Sequence, residues 1–154
     1  MNKKVVTVSG VLGVLAGGAA LIFWLLAPGA NLALQPRDKT VVAQGKTIYA
    51  AQCASCHGLQ LKGQPNWRQR QSNGKLPAPP HDDSGHTWHH SDALLIDLTK
   101  RGTAAIAGAG YQSDMPAFSD ILTDSEIVAV LSYIKSTWPE KIRKRHDQMN
   151  RPRE

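Results

Sequence analysis

Two cysteines and a histidine lie together in the sequence as Cys53-Ala54-Ser55-Cys56-His57. Cys-x-x-Cys-His is the attachment motif of a c-type haem, in which two thiols form thioethers to one porphyrin. The adjacent histidine then ligates the iron from the proximal side. The pattern predicts one covalent haem c, bound by Cys53 and Cys56, with His57 as the proximal ligand. A thioredoxin-like CxxC dithiol is the alternative, but the sequence lacks the βαβ setting that it requires, and it leaves His57 unexplained.

A haem iron held by one histidine needs a second axial ligand or keeps an open position. The chain has three methionines, of which Met1 begins the sequence and Met149 lies in a charged tail. Met115 precedes Pro116, which restricts the local backbone and predicts a stiff loop that presents the side chain. Because a thioether is a soft ligand for iron, the sequence predicts Met115 as the distal ligand.

Around these motifs the chain resembles the class I c-type cytochromes over about residues 40–138. Gly45 and Tyr49 precede Cys53 at intervals of four, as in the N-terminal helix of that family. The C-terminal helix, which in that family crosses the first one at its glycine, is matched by Val130, Tyr133 and Ile134. The resemblance implies an all-α cytochrome c fold, with N- and C-terminal helices crossing over a covalently bound haem.

Loop segments extend the resemblance. Gln64-Pro65-Asn66-Trp67 resembles the family's Gly-Pro-Asn-Leu loop, which implies that the Pro65 carbonyl accepts a hydrogen bond from the proximal histidine. Thr87-Trp88 is similar to the tryptophan that hydrogen-bonds a haem propionate, and Met115-Pro116-Ala117-Phe118 is similar to the axial Met-Pro-x-Phe motif. A polar insertion at residues 68–86 departs from the shortest family members.

The polar insertion and the four residues that follow it, which together we call the polar region, contain His81, His86, His89 and His90. One of them could replace Met115 as the distal ligand, and His86-x-x-His89-His90 could bind a second transition metal such as copper. The simpler interpretation, which we favour, is a polar surface loop whose histidines are exposed or hydrogen-bonded.

The elements that position these residues have clear end signals. A helix is predicted from Thr40 to Cys53, and a second from Ser91, a capping residue, to Lys100. Thr123-Asp124-Ser125-Glu126 is a capping box that opens a third helix, which ends at Pro139. Residues 59–90 are predicted to be irregular, and residues 102–110 to form a glycine- and alanine-rich loop.

The N-terminal region predicts a membrane anchor. Residues 5–27 carry no charge and follow Lys3 and Lys4, and about 20 apolar residues span a bilayer. A cleaved signal peptide has a shorter apolar region and a small-residue cleavage site, which is absent here. The predicted organisation is a cytoplasmic N-terminus (1–4), a transmembrane signal anchor (5–27), a linker (28–39), a cytochrome c domain (40–138) and a basic C-terminal tail (139–154).

The net charge of +6 does not indicate nucleic-acid binding. Basic and acidic residues are equal in number between Asp38 and Trp138, so the excess lies at the two ends of the chain. A nucleic-acid footprint requires a basic face on the folded domain.

No group of residues indicates substrate chemistry, and a six-coordinate iron has no open site. The sequence therefore predicts an electron carrier rather than an enzyme. It would be a membrane-tethered monohaem cytochrome in the bacterial inner membrane, with its haem domain in the periplasm. Its partners would be redox proteins: a quinol-oxidising complex, a terminal oxidase, a reaction centre or a dehydrogenase. The alternatives are a fixed haem subunit of a respiratory, photosynthetic or dehydrogenase complex, and a haem gas sensor or enzyme with a labile Met115.

Overall fold

The computed structural model describes residues 32–151, and every regular element in that range is helical. This confirms the all-α prediction for the described part of the chain. Residues 87–89 form a single 3₁₀ turn. The helices are α1 (Lys39–Gln52), α2 (Ala54–His57), α3 (Asp92–Arg101), α4 (Thr103–Ala107), α5 (Asp124–Ser136) and α6 (Glu140–Met149).

The predicted anchor at residues 5–27 lies outside the described residues, as does the segment before it. Among residues 32–151, no helix has the length and apolar character needed to cross a membrane.

Helices α1 and α5 cross at a glycine, as the resemblance implies. The Asp38 carboxylate caps α1 by accepting hydrogen bonds from the backbone N–H groups of Thr40 and Val41. One turn later, a Cβ on Gly45 would lie 1.9 Å from the carbonyl oxygen of Ala129. The two backbones therefore approach each other so closely that only glycine fits at this position.

Helix α5 contributes more buried apolar residues to the core than any other described helix. Its predicted capping box is present, with Thr123 and Glu126 each accepting a hydrogen bond from the other's backbone N–H. Around it pack Tyr49 from α1 and Trp138 from the residues that follow α5, both almost fully buried. The buried apolar side chains of α5 are Ile127, Val128, Ala129, Val130, Leu131 and Ile134.

Helix α3 begins as predicted, because the Ser91 hydroxyl accepts a hydrogen bond from the backbone N–H of Leu94. It ends at Gly102, whose φ of 77° belongs to the left-handed region. The following segment differs from the predicted loop, since residues 103–107 form the short helix α4. Its three alanines, the best helix formers, account for this turn of helix.

The C-terminal tail, which the sequence predicts to be basic, contains a helix that contributes to the core. In α6, Ile142 packs against the core and His146 is fully buried. The His146 Nε2–H donates to the carbonyl of His90 at 2.8 Å. The ammonium of Lys135, itself buried, lies 2.7 Å from the Asp147 carboxylate. These contacts fix α6 against α5 and the residues before α3.

Candidate haem-attachment site

The junction of α1 and α2 presents the CxxCH segment. Cys53 ends α1, with its N–H donating to the carbonyl of Tyr49, and His57 ends the single turn of α2. The buried Tyr49 hydroxyl donates to the carbonyl of Gly58 at 3.1 Å, which braces the segment from α1. Cys53 is half-buried and Cys56 is exposed, and both are free thiols in the polypeptide. The junction of α1 and α2 thus carries all three predicted haem-binding residues.

The environment of Cys53 does not suit a redox dithiol. Burial raises the pKa of Cys53 to about 11, and the neighbouring thiol of Cys56 acts in the same direction. Reactive dithiol motifs instead lower the pKa of the attacking cysteine. This shift of the Cys53 pKa is opposite in direction to the one expected of a thioredoxin-like dithiol.

His57 is placed as a proximal ligand should be. Its side chain is buried, and Nδ1 lies 2.8 Å from the carbonyl oxygen of Pro79. A carbonyl only accepts, so Nδ1–H donates and Nε2 keeps the lone pair that a metal requires. Burial lowers the pKa of His57, although the Pro79 carbonyl partly opposes this shift. The neutral imidazole, which is the metal-binding form, is thereby favoured.

The predicted hydrogen bond from His57 to the Pro65 carbonyl is corrected by the structure. The Pro79 carbonyl accepts this hydrogen bond instead, and Pro65 is exposed. The polar insertion explains the difference. The N–H of Gln64 donates to the carbonyl of Ala78, so residues 65–77 form an excursion closed at its base. A Cβ on Gly63 would lie 2.5 Å from the backbone of Pro79, so the returning chain passes tightly against the residues after the motif. Residues 77–80 also contain prolines, but no local pattern in the sequence distinguishes Pro79 from Pro65 as the partner of His57.

Met115 lies on a loop that is tied to the end of α3. Its sulfur accepts a hydrogen bond from the Thr103 hydroxyl at 3.1 Å, and its N–H donates to the Ser113 hydroxyl. The N–H of Phe118 donates to the carbonyl of Thr99 at 3.1 Å. The side chain of Met115 is half-buried and packs against the core. Iron ligation by Met115 remains a prediction that this ordered loop is suited to fulfil.

Trp88 already has protein partners. Its Nε1–H donates to the carbonyl of Asp83 at 3.3 Å, and its ring stacks on His89 with centroids 3.7 Å apart. To donate to a haem propionate, the Trp88 Nε1–H would have to give up its hydrogen bond to the Asp83 carbonyl. The propionate role of Trp88 therefore stays a prediction.

The histidines of the polar region have different surroundings. His86 stacks on Trp67, and the His90 carbonyl receives the hydrogen bond from His146. His81 stacks on His57 itself, a contact that no local sequence pattern predicts. Within residues 32–151, no cluster of three or more Cys, His, Asp or Glu side chains could hold a metal ion. The second-metal alternative thus gains no support.

The donor set fits haem c: two free thiols spaced for thioethers, followed by a buried imidazole with Nε2 available for iron. The cytochrome c family model matches residues 42–138. The chain belongs to this family. Its cofactor is therefore covalently bound haem c, which supplies an iron that cycles between ferrous and ferric states.

Curated relatives resemble parts of this cytochrome. It is 35% identical over 60 residues to a cytochrome bc1 complex cytochrome c subunit of Corynebacterium efficiens, covering 37% of this chain and 20% of that one. It is 29% identical over 97 residues to the cbb3-type cytochrome c oxidase subunit CcoP of an Azospirillum species, covering 63% and 29%. A nitrite reductase of Stutzerimonas stutzeri is 26% identical over 133 residues, covering 82% and 21%. The chain spans less than a third of each relative. No solved structure matches.

Proposed function

We propose that this protein is a membrane-tethered monohaem c-type cytochrome that carries single electrons between periplasmic or membrane redox partners. The observation that carries the proposal is His57, whose ring is buried and oriented by the Pro79 carbonyl directly after the two cysteines. The chain contains one CxxCH segment, and therefore one covalent haem and one electron per cycle.

The proposed axial ligands are His57 and Met115. Two hydrogen bonds and the backbone contact of Phe118 order the Met115 loop, so the loop pays little additional entropy when the sulfur ligates. A His/Met pair closes both axial positions and raises the reduction potential relative to other ligand sets. A closed iron suits electron transfer and leaves no position for substrate, which is the reason for proposing a carrier rather than an enzyme.

The proposed tether is the uncharged run at residues 5–27, with the haem domain in the periplasm of the bacterial inner membrane. A tether holds the carrier near membrane-bound donors and acceptors and so raises its effective concentration there.

Electron exchange in membranes tests the proposal. Membranes containing the full chain are supplied with a quinol and then with oxygen, while the absorbance of haem c is followed in a stopped-flow instrument. We expect the haem to be reduced by the quinol and then reoxidised when oxygen is added. We also expect the ferrous iron of the wild type not to bind carbon monoxide. Ready carbon monoxide binding at neutral pH would contradict the closed site and move the sensor or enzyme alternative ahead. Haem that is never reduced or reoxidised would contradict the carrier role.

A fixed subunit of a larger respiratory complex is the second candidate, because relatives are named as subunits of a bc1 complex and of a cbb3-type oxidase. Solubilisation in mild detergent followed by native electrophoresis separates the two candidates. A free carrier migrates alone, whereas a fixed subunit migrates with other redox proteins in constant proportion.

A further inference from the structure

His81 lies face to face with the proposed proximal ligand. The ring centroids of His81 and His57 are 3.8 Å apart, and the ring planes differ by 18°. The ring of Tyr49, from α1, approaches the same imidazole edge-on with centroids 5.9 Å apart. His81 is thus packed between an aromatic side chain of the core and the residue that ligates the iron.

The backbone of His81 is held on both sides. Its N–H donates to the carbonyl of Leu61 at 2.8 Å, and its carbonyl accepts a hydrogen bond from the indole of Trp138 at 2.8 Å. Pro80, which precedes His81, has its φ angle fixed by the proline ring and so stiffens the chain leading into His81. With the main chain fixed in this way, the imidazole has little freedom to leave the face of His57.

One polar atom of the His81 ring has no partner in the described part of the fold. The Nδ1 atom of His81 is inaccessible to solvent and has no hydrogen-bond partner among the described residues. Buried polar atoms without partners cost stability, so one in contact with a ligand calls for a functional explanation.

We propose that His81 is a positioning residue for the proximal ligand, whose stacked ring fixes the plane of the His57 imidazole relative to the haem. The inference rests on the proposed function, because it requires that His57 ligates iron. The Pro79 carbonyl alone leaves some freedom, since hydrogen bonds tolerate angular deviations of about 30° from linearity. A parallel ring in van der Waals contact removes that freedom. The orientation of the ligand plane determines how its π orbital overlaps the iron d orbitals.

The test compares full-length holoproteins that differ at one residue. His81→Leu removes the flat ring, His81→Phe keeps a flat ring without nitrogen, and Gln69→Leu is the control at an exposed side chain of the polar insertion. The ferric g values and the spread of the haem methyl proton shifts report the ligand plane, and the midpoint potential reports its consequence.

We expect His81→Leu to change the g values and methyl shifts and to move the potential. His81→Phe and Gln69→Leu should stay close to wild type. Wild-type spectra and potential in His81→Leu would overturn the inference while leaving the carrier function intact. Equal changes in His81→Leu and His81→Phe would also overturn it, because ring stacking would then not be the cause.

A further variant covers failure of His81→Leu to accumulate with haem. His81→Gln keeps a polar side chain without a ring, and the inference expects it to show altered g values and methyl shifts. Wild-type values in His81→Gln would overturn the inference. A wild-type protein without low-spin haem bound through His57 would overturn the proposed function, and this inference with it.

Discussion

The two cysteines occupy different environments, and we expect both to contribute to haem attachment. Cys53 is half-buried at the end of α1, whereas Cys56 is exposed on α2. We expect Cys53→Ala and Cys56→Ala each to reduce covalent haem, and the double variant to abolish it, because each substitution removes one thioether. Haem staining after denaturing electrophoresis of membranes measures this. Covalent haem at wild-type level in the double variant would refute the central assignment.

Met115→Ala should open the iron while leaving the haem attached, because the thioethers do not depend on the distal ligand. We expect loss of the weak long-wavelength band that arises from sulfur-to-iron charge transfer, binding of carbon monoxide by the ferrous protein, and a lower potential. Met149→Ala is the matched control, since Met149 is exposed at the end of α6. Optical spectra and redox titration provide the readouts.

Other outcomes at the distal position are equally informative. If the band survives in Met115→Ala, another residue holds the iron. If the wild type lacks the band and shows a bis-imidazole spectrum, a histidine between His81 and His90 becomes the better candidate. His81 is then the least suitable of them, because its ring lies against the proximal ligand.

At the scale of helices, the crossing of α1 and α5 depends on one missing side chain. Gly45→Ala should destabilise the holoprotein by about 1–3 kcal/mol or more, because its Cβ would meet the backbone of Ala129. Helix propensity alone predicts the opposite sign, a gain of about 1 kcal/mol. Urea unfolding measures the change, with Gln44→Ala on the exposed face of α1 as control. A stabilised Gly45→Ala protein would show that the helices do not pack this closely.

Docking of α6 should make stability depend on pH through His146. Burial and the ammonium of Lys135 lower its pKa, against the opposing effects of the His90 carbonyl, Asp92 and Asp147. Below about pH 6.5 the unfolded chain therefore binds more protons than the folded one, and the free energy of unfolding falls as the solution is acidified. We expect His146→Gln to reduce this fall between about pH 7.5 and about pH 5.5.

Urea unfolding of the holoprotein at several pH values measures the slope, with His89→Gln as the exposed control. Equal slopes in wild type and His146→Gln would mean that this histidine does not link folding to protons. The comparison isolates His146 from the other buried histidines, because they are present in both proteins.

The helices and the haem motif were predictable because their signals are local. Ser91 and Thr123 cap helices within three residues of their own positions, and CxxCH is complete in five. The partner of His57 was not predictable from the sequence. Residues 65–77 loop out between Gln64 and Ala78, and this loop brings Pro79, rather than Pro65, to the imidazole. The burial of His146 was not predictable either, because its helix α6 is almost entirely polar in sequence. The carbonyl that accepts its hydrogen bond belongs to His90, 56 residues earlier in the chain.

At the scale of the whole molecule, the chain extends beyond the family region at both ends. The family match ends at residue 138, and α6 follows it directly, packed on the core by His146. The region before residue 42 contains the cap of α1 and, in the sequence, the long uncharged run. The C-terminal extension adds to the folded domain, and the N-terminal extension includes the run that we propose as a membrane tether.

The uncharged run should remain on the mature protein and hold it in the membrane. It is long enough to span a bilayer and lacks a convincing cleavage site, so the intact mass should include the residues around Lys3. Carbonate washing should leave the wild type and Leu15→Ala in the membrane fraction. Leu15→Arg should reduce that fraction, because a charge near the centre of a spanning helix costs about 2.5–3.5 kcal/mol on insertion. A mature N-terminus near Ala30, with haem released in soluble form, would instead identify a free periplasmic cytochrome whose folded domain meets its partners by diffusion alone.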